Sequence, residues 1–378
     1  MKLKIAQFIA EHPNWEEILS GSPYFITVSR DVWNGRNLIL LKYSQFDSDF
    51  HSEMVRECRG LILDGDTFEP VSVPYFKFGN YGESYCPEID WKNCFVEEKI
   101  DGSLVKIVKL DGKLLVSTNG TIDAFKAQIV NVPGLQYKSY GDLVVKAVEN
   151  AGLTMGELYN RLEENKTYMF ELTSPYTRIV VKFEDIGLWF HGVRDNVSLK
   201  EDFFFDNPLS SVFGTPKLYG LGTMRECVEA SEHLGMDAEG FVVCDGNFNR
   251  VKVKSPTYVM LHHMSGNHVM SASRGLEIVL KNETEEVLTY FPEFSDALRK
   301  IESDLTEFVE SLDSIWERVS KTVSSIETRK GKASVILKEF KENSGIGFAF
   351  LDGRIASARE YVRRIPMKSL LKTLGYKE

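Results

Sequence analysis

FVEEKIDGSLVKI, residues 95–107, is the stretch on which the fold turns. An Asp-Gly pair, Asp101–Gly102, stands between two apolar runs, the usual mark of a tight β-hairpin turn. Two places ahead of it stands a lysine, Lys99. On one reading this is plain antiparallel hairpin. On another, Lys99 is a reactive amine presented at a strand end. The motif alone does not choose. The chain holds five Asp-Gly pairs, at 64–65, 101–102, 111–112, 245–246 and 352–353, and KLDG at 109–112 repeats the K-x-D-G pattern.

Outward from this stretch, residues 25–255 carry short β-like runs separated by turn signals: YFITVSRD, NLILLKY, GLILDG, LVKIVKLDGKLLVS, TRIVVKF, LWFHGV, GFVVCDG and RVKVKS. Their alternation and β-branched content predict strands. Helical segments are expected near 123–130, 141–151, 155–163 and 223–234, with Thr154 as an N-cap. The N-terminal MKLKIAQFIAEHPNWEEIL reads as an amphipathic helix, too acidic for a signal peptide. From Leu298 the apolar residues Ile301, Leu305, Phe308, Leu312, Ile315 and Val319 fall at three- and four-residue spacing, one face of a long helix. Val335, Ile336 and Phe340, and the tail ASAREYVRRIPMKSLLKTL, also read as helical. The pattern is α+β, built on antiparallel sheet, with a boundary at 265–275 and an all-helical segment behind it.

Composition bounds the function. The chain has 378 residues, 43% hydrophobic and 26% charged, which suits an ordinary globular protein of two domains. No apolar run reaches the ~20 residues of a bilayer span. The five cysteines, Cys58, Cys86, Cys94, Cys227 and Cys244, are odd in number and form no C-x-x-C pair, so neither a zinc site nor a disulfide framework is read and a cytoplasmic setting is expected. The net charge of −10 argues against nucleic-acid binding by the whole surface, though not by a local basic groove.

Charged residues in strand-like settings come next, because burying a charge is expensive unless it is paired or bound. In chain order they are Arg59, Lys77, Lys99, Glu171, Lys182, Glu239, Lys252 and Lys254. Lys252 and Lys254 stand two apart on one strand and project to one face. Two adjacent ammonium groups make sense under a polyanion; on a solvated edge strand they are snorkelling lysines. Singly, Glu171 reads equally as a surface carboxylate, Arg59 as a surface ion pair and Glu239 as a turn residue. Together they favour phosphate binding, a nucleophilic lysine and a metal carboxylate.

In this order the segments resemble the nucleotidyl motifs of the covalent nucleotidyltransferase superfamily of RNA ligases, DNA ligases and mRNA capping enzymes. EKIDGS (98–103) resembles the lysine-nucleophile motif, followed by FELTSPYTRIVV (170–181), LWFHGVRD (188–195), AEGFVV (238–243) and VKVKS (251–255). ECRGLIL (57–63) and FKFGNYGE (76–83) narrow the resemblance to the RNA ligase 1 family, the tRNA-repair ligases of T-even bacteriophages. It covers residues 55–265. The family places an S-x-x-G segment after the nucleophile strand, and VSTNGTI (116–122) fills that place if Lys99, and not Lys109, is the nucleophile. Two departures stand out: Asn119 replaces a family lysine, and Gly79 replaces a second aromatic.

The resemblance implies an ATP-grasp-like nucleotidyltransferase domain over residues 1–265 and a small helical domain over 266–378, a candidate RNA-specificity module. It implies ATP and Mg²⁺, or Mn²⁺, as cofactors, with RNA as the partner of a monomer in the cytosol of a phage host. Lys99 would attack the α-phosphate of ATP, pass AMP to an RNA 5′-phosphate, and release it when a 3′-hydroxyl attacks. Lys252 and Lys254 would hold the α-phosphate; Arg59 and Lys77 the outer phosphates or the RNA end. Glu98 would line the ATP site, and Asp101 would orient Lys99. Gly102 would let the backbone approach the nucleotide. Glu239 would hold the metal, Glu171 the ribose or the metal, and Phe190 or Trp189 would stack on adenine. DNA ligases and capping enzymes share the lysine motif but continue into a β-barrel, which the helical C-terminal periodicity disfavours. A non-catalytic RNA-end-binding protein is the other alternative.

Overall fold

In a computed structural model describing residues 3–45, 47–129, 136–263 and 270–376, NLILLKY becomes a strand buried on both faces. Its run Leu38–Leu41 is enclosed throughout, as continuous apolar runs in doubly covered strands are. Ile39 and Leu41 face a core with the N-terminal helices; Leu38 and Leu40 face a second core with Val108 and Leu115. This strand, β2 (Arg36–Tyr43), lies between β1 (Ile26–Trp33) and β3 (Arg59–Asp64), with β4 (Pro70–Ser72) at the edge.

The remaining strands are β5 (Cys94–Glu98), β6 (Ser103–Leu110), β7 (Lys113–Thr118), β8 (Lys166–Thr173), β9 (Gly187–Asp195), β10 (Glu201–Phe203), β11 (Leu218–Tyr219), β12 (Gly240–Asp245) and β13 (Arg250–Lys254). They form two sheets, ordered β10-β9-β8-β6-β7 and β11-β5-β12-β13. All pairs of named strands in the three sheets are antiparallel. The α+β class and its antiparallel sheets are those expected. The hairpin at 101–102 is not: β5 and β6 belong to different sheets, and residues 99–102 carry the chain from one to the other.

Other differences have local causes. The N-terminal helix is two, Lys4–Glu11 and Trp15–Ser20, because Pro13 has no N–H and cannot continue a ladder. Buried Glu57 accepts from the N–H groups of Lys4 and Ile5 at 3.0 and 2.9 Å, capping the first of them from another element. TRIVVKF forms no strand; its backbone N–H groups serve a side chain described below. Residues 123–129 form turns and no helix, and residue 130 lies outside the described residues. Thr154 does cap the helix Met155–Arg161, in a reciprocal box with Glu157.

The chain divides into two compact units, Met1–His262 and His263–Glu378. The described elements of the second are helical. Its longest helix, Ser295–Ser324, buries Leu298 and places Ile301, Leu305, Val309, Leu312, Val319 and Val323 in one core. The stripe is the expected one, except that Val309 is buried where Phe308 and Ile315 are only partly covered. Among the described residues no helix is long and apolar enough to cross a membrane.

Candidate active site

The three sheets of the first unit meet at a cleft of about 150 Å³. Seven of the residues singled out in the sequence line it: Arg59, Glu98, Lys99, Glu171, Glu239, Lys252 and Lys254. Lys99 sits just past the end of β5, and its N–H still bonds to Gly240 O at 2.8 Å. Its ammonium meets Glu239 Oε2 at 2.6 Å, with Lys254 4.0 Å from the other oxygen. Gly240 makes this closeness feasible. At φ +142° it brings β12 against β13, and a Cβ there would lie 2.2 Å from Val253 O.

Cations crowd the site. Burial, then Lys77, Lys254, Lys99 and Arg59 in that order, push the Lys252 ammonium well below its ordinary pKa. Among the described residues no ion pair with a carboxylate holds Lys252; its ammonium lies 5.2 Å from the Phe78 ring, as does the guanidinium of Arg59. Burial raises the pKa of Glu239 despite its two lysine neighbours. Lys77 reaches Lys252 electrostatically but lies outside the cleft wall, 4.8 Å from the Phe50 ring, with Gln45 Oε1 at 3.3 Å.

Four expectations need correcting. Asp101 does not bond to Lys99. Buried, it accepts from Val180 and Val181 N–H at 2.9 and 2.6 Å and from Tyr258 Oη at 2.9 Å. This pins the crossing segment and uses the N–H groups that a TRIVVKF strand would have needed. Gly102 gives room to protein: a Cβ there would lie 2.6 Å from Leu172 O and 2.9 Å from Glu171 Cγ. Phe190 cannot stack on a base, because it is fully buried in the core against Phe170, which in turn meets Phe213. A bulge explains it: Met169 pairs with Gly192 but Phe170 pairs with Phe190, so His191 is extra and projects into the cleft. Trp189 pairs across from Glu171, with its indole N–H held by Thr173 Oγ1 at 3.0 Å. Lys182 is exposed and pairs with Glu184.

Sequence reading missed several lining residues. His191 bonds to Glu171 Oε2 at 3.2 Å. Glu97 is buried, its carboxyl pKa raised by burial. Arg250 lines the cleft from the strand that carries Lys252 and Lys254, and period-two spacing would have found it. Lys106 lies deeper, fully buried, donating to Gly60 O at 2.5 Å and Thr118 O at 2.9 Å. It ties the strand of Arg59 to the turn of Asn119. Gly60, at φ +77°, lies directly against that turn: a Cβ would be 2.7 Å from Asn119 Cα. Gly79 stands where a Cβ would meet Cys86 Sγ at 2.5 Å, so the family's aromatic has no room there. Lys109 is elsewhere, 4.2 Å from the Tyr159 ring.

Among the described residues no group of three or more metal-ligating side chains forms. Glu171 and Glu239 still offer hard oxygen donors to the cleft, a set that suits a divalent cation shared with phosphate oxygens, since Mg²⁺ commonly takes one or two carboxylates.

A family model described as RNA ligase matches residues 57–258. A protein of Autographa californica nuclear polyhedrosis virus, named as a bifunctional polynucleotide kinase/RNA ligase, is 30% identical over 283 residues, covering 70% of this chain. The matched part is 39% of that viral protein. An RNA ligase of Rhodothermus phage RM378 is 25% identical over 389 residues, covering 85% of this chain and 86% of the phage protein. Among solved structures, an archaeal ATP-dependent RNA ligase matches at 13% identity with a TM-score of 0.47, covering 90% of this chain and 91% of that one.

Proposed function

The chain belongs to the RNA ligase family, and from that membership we propose that it joins RNA 5′-phosphate and 3′-hydroxyl ends with ATP, through lysyl-AMP and RNA-adenylate intermediates. The observation that carries this reading is the convergence of Lys99, Arg59, Lys77 and Lys254 on a half-buried Lys252 that pairs with no carboxylate among the described residues. Such a cluster is costly alone and is relieved by a polyphosphate lying among its members.

Lys99 must lose a proton before it can attack, and Glu239, 2.6 Å away, is in place to take it. The amine then forms an N–P bond to the α-phosphorus of ATP as the P–O bond to pyrophosphate breaks. An oxygen of the RNA 5′-phosphate next takes AMP from Lys99, and a 3′-hydroxyl displaces AMP in the sealing step. Lys252 and Lys254 stabilise charge on the α-phosphate, while Arg59 and Lys77 meet the outer phosphates or the incoming RNA end. Asp101 acts on Lys99 through the backbone, by fixing the crossing segment. Glu171 and Glu239 would hold Mg²⁺ or Mn²⁺, which when bound supplies charge neutralisation to the phosphates. Repair of broken tRNA in the cytosol of a phage host, by a monomer whose helical unit selects the RNA, is the setting the family resemblance favours.

The test is incubation with labelled ATP and magnesium. An acid-labile protein–AMP adduct that Lys99→Ala loses and Lys109→Ala keeps supports the reading. No adduct from the wild type overturns it.

A further inference from the structure

The 75–78 segment lies in the walls of two cavities. Tyr75 and Phe78 line the cleft, whereas Phe76, Lys77 and Phe78 line a second cavity of about 190 Å³. Phe78 and Arg250 belong to both walls. The second cavity carries four cations, Arg56, Lys77, Arg194 and Arg250, and no carboxylate lines it. Buried Glu201 bridges Arg194 and Arg250, and Arg250 also feels Glu97. Arg56 feels Asp49 and Glu53 at a distance, but the hydrogen bonds of Arg56 and Lys77 go only to neutral oxygens. Arg56 donates to the Phe50 and His51 carbonyls at 2.6 and 3.1 Å, and Lys77 to Gln45. Arg194 Nε, on a side chain 5% exposed, has no hydrogen-bond partner. Two cations that hydrogen-bond only neutral oxygens and one orphaned buried donor, set among the rings of Phe76, Tyr85 and Phe248, suit a phosphate joined to a base.

We propose that this cavity seats the phosphorylated 5′ end of the RNA strand to be activated. The proposal rests on the ligase reading. Sharing Arg250 and Phe78 with the cleft, the cavity places that phosphate beside AMP carried on Lys99, and its oxygen forms the new P–O bond as the N–P bond to Lys99 breaks. The outer phosphates of ATP have the same chemistry and are the other source to be distinguished.

Wild type, Arg56→Gln, Arg56→Lys and Pro87→Glu separate them. Pro87→Glu adds a carboxylate at the cavity wall and removes no backbone donor. Three quantities are measured: binding of 5′-phosphorylated and 5′-hydroxyl oligoribonucleotides without ATP, lysyl-AMP formation, and AMP transfer from preformed lysyl-AMP to 5′-phosphorylated RNA. The wild type should prefer the phosphorylated strand by about tenfold, the worth of one charge-assisted hydrogen bond. Arg56→Gln and Pro87→Glu should erase that preference and slow transfer by about tenfold or more, changing lysyl-AMP formation less than about threefold, while Arg56→Lys keeps most of both. Equal binding of the two strands by the wild type overturns the proposal. So does slowing of lysyl-AMP formation as large as that of transfer, which would assign the cavity to ATP. If the wild type forms no lysyl-AMP, the ligase reading fails, and the binding preference still decides what the cavity holds.

Discussion

At KLDG, Asp111 and Gly112 take φ of +46° and +76°, and the chain reverses from β6 straight into β7. At KIDG neither Asp101 nor Gly102 takes a positive φ, and the chain leaves one sheet for another. The first turn is exposed and local: an Asp-Gly pair with both residues left-handed is the type I′ geometry that matches strand twist. The second is enclosed, and its aspartate is claimed by Val180, Val181 and Tyr258, residues 79 to 157 places away. A tight turn needs nothing beyond its own four residues. A crossing between sheets needs partners from elsewhere, and those partners set Lys99 beside Glu239.

The contrast can be broken most severely at the lysines. Lys99→Ala should reduce protein–AMP formation by more than about 10³-fold, while Lys109→Ala stays near wild type, as measured with labelled ATP. Equal loss in both would erase the distinction. Glu239→Gln removes the carboxylate opposite Lys99 and Lys254 and should slow the adduct about 10²-fold, as loss of a proton acceptor does. The glycines come next. Gly102→Ala forces a Cβ against Leu172 O and should cost about 2 kcal/mol in denaturant unfolding and slow the adduct. Gly112→Ala has open space around it and should cost only the left-handed strain, about 1 kcal/mol, with adduct formation unchanged.

A pH-dependent effect, absent below about pH 7, belongs to Lys106, on the strand between the two motifs. Burial lowers its pKa to about 7 in the folded chain, below the ordinary 10.5. Between those values the unfolded chain binds the extra proton, so this group makes stability rise with pH from about 7 toward 10 and contributes no slope below. The slope from one proton is at most ~1.4 kcal/mol per pH unit. Lys106→Met should remove that rise, as followed by urea unfolding at several pH values. An identical pH dependence in the variant would show that the residue stays charged throughout.

How much of this was legible varied with the physics of each element. The fate of the five Asp-Gly pairs shows it. Asp352–Gly353 ends the helix Ser344–Leu351 with Gly353 at φ +64°, and after 64–65 and 245–246 the left-handed residues are Phe68 and Phe248. One dipeptide thus serves a hairpin, a helix end, a longer loop and a crossing. Lys252 and Lys254 were legible as a pair because strand period is fixed, and Arg250 was legible by the same rule though not taken up. Phe190, taken from the family resemblance, lies in the core because one bulge residue reverses the parity of the strand there. TRIVVKF has strand composition, yet Asp101 takes two of its N–H groups.

Lys99 as the candidate nucleophile came from the family resemblance; the sequence by itself determined the strand runs, the long C-terminal helix and the order of the charged residues. These follow from local period and from residue types in series, which a linear chain states directly. Only the tertiary structure decided that β5 and β6 part company at Lys99, that His191 and not Phe190 faces the cleft, that Lys106 is buried beneath Arg59 and Asn119, and that a second basic cavity adjoins the first. Each of these depends on which distant backbone groups and charges come within a few ångströms, and on where one extra residue shifts a register. Those are properties of packing, with no local signature in the chain.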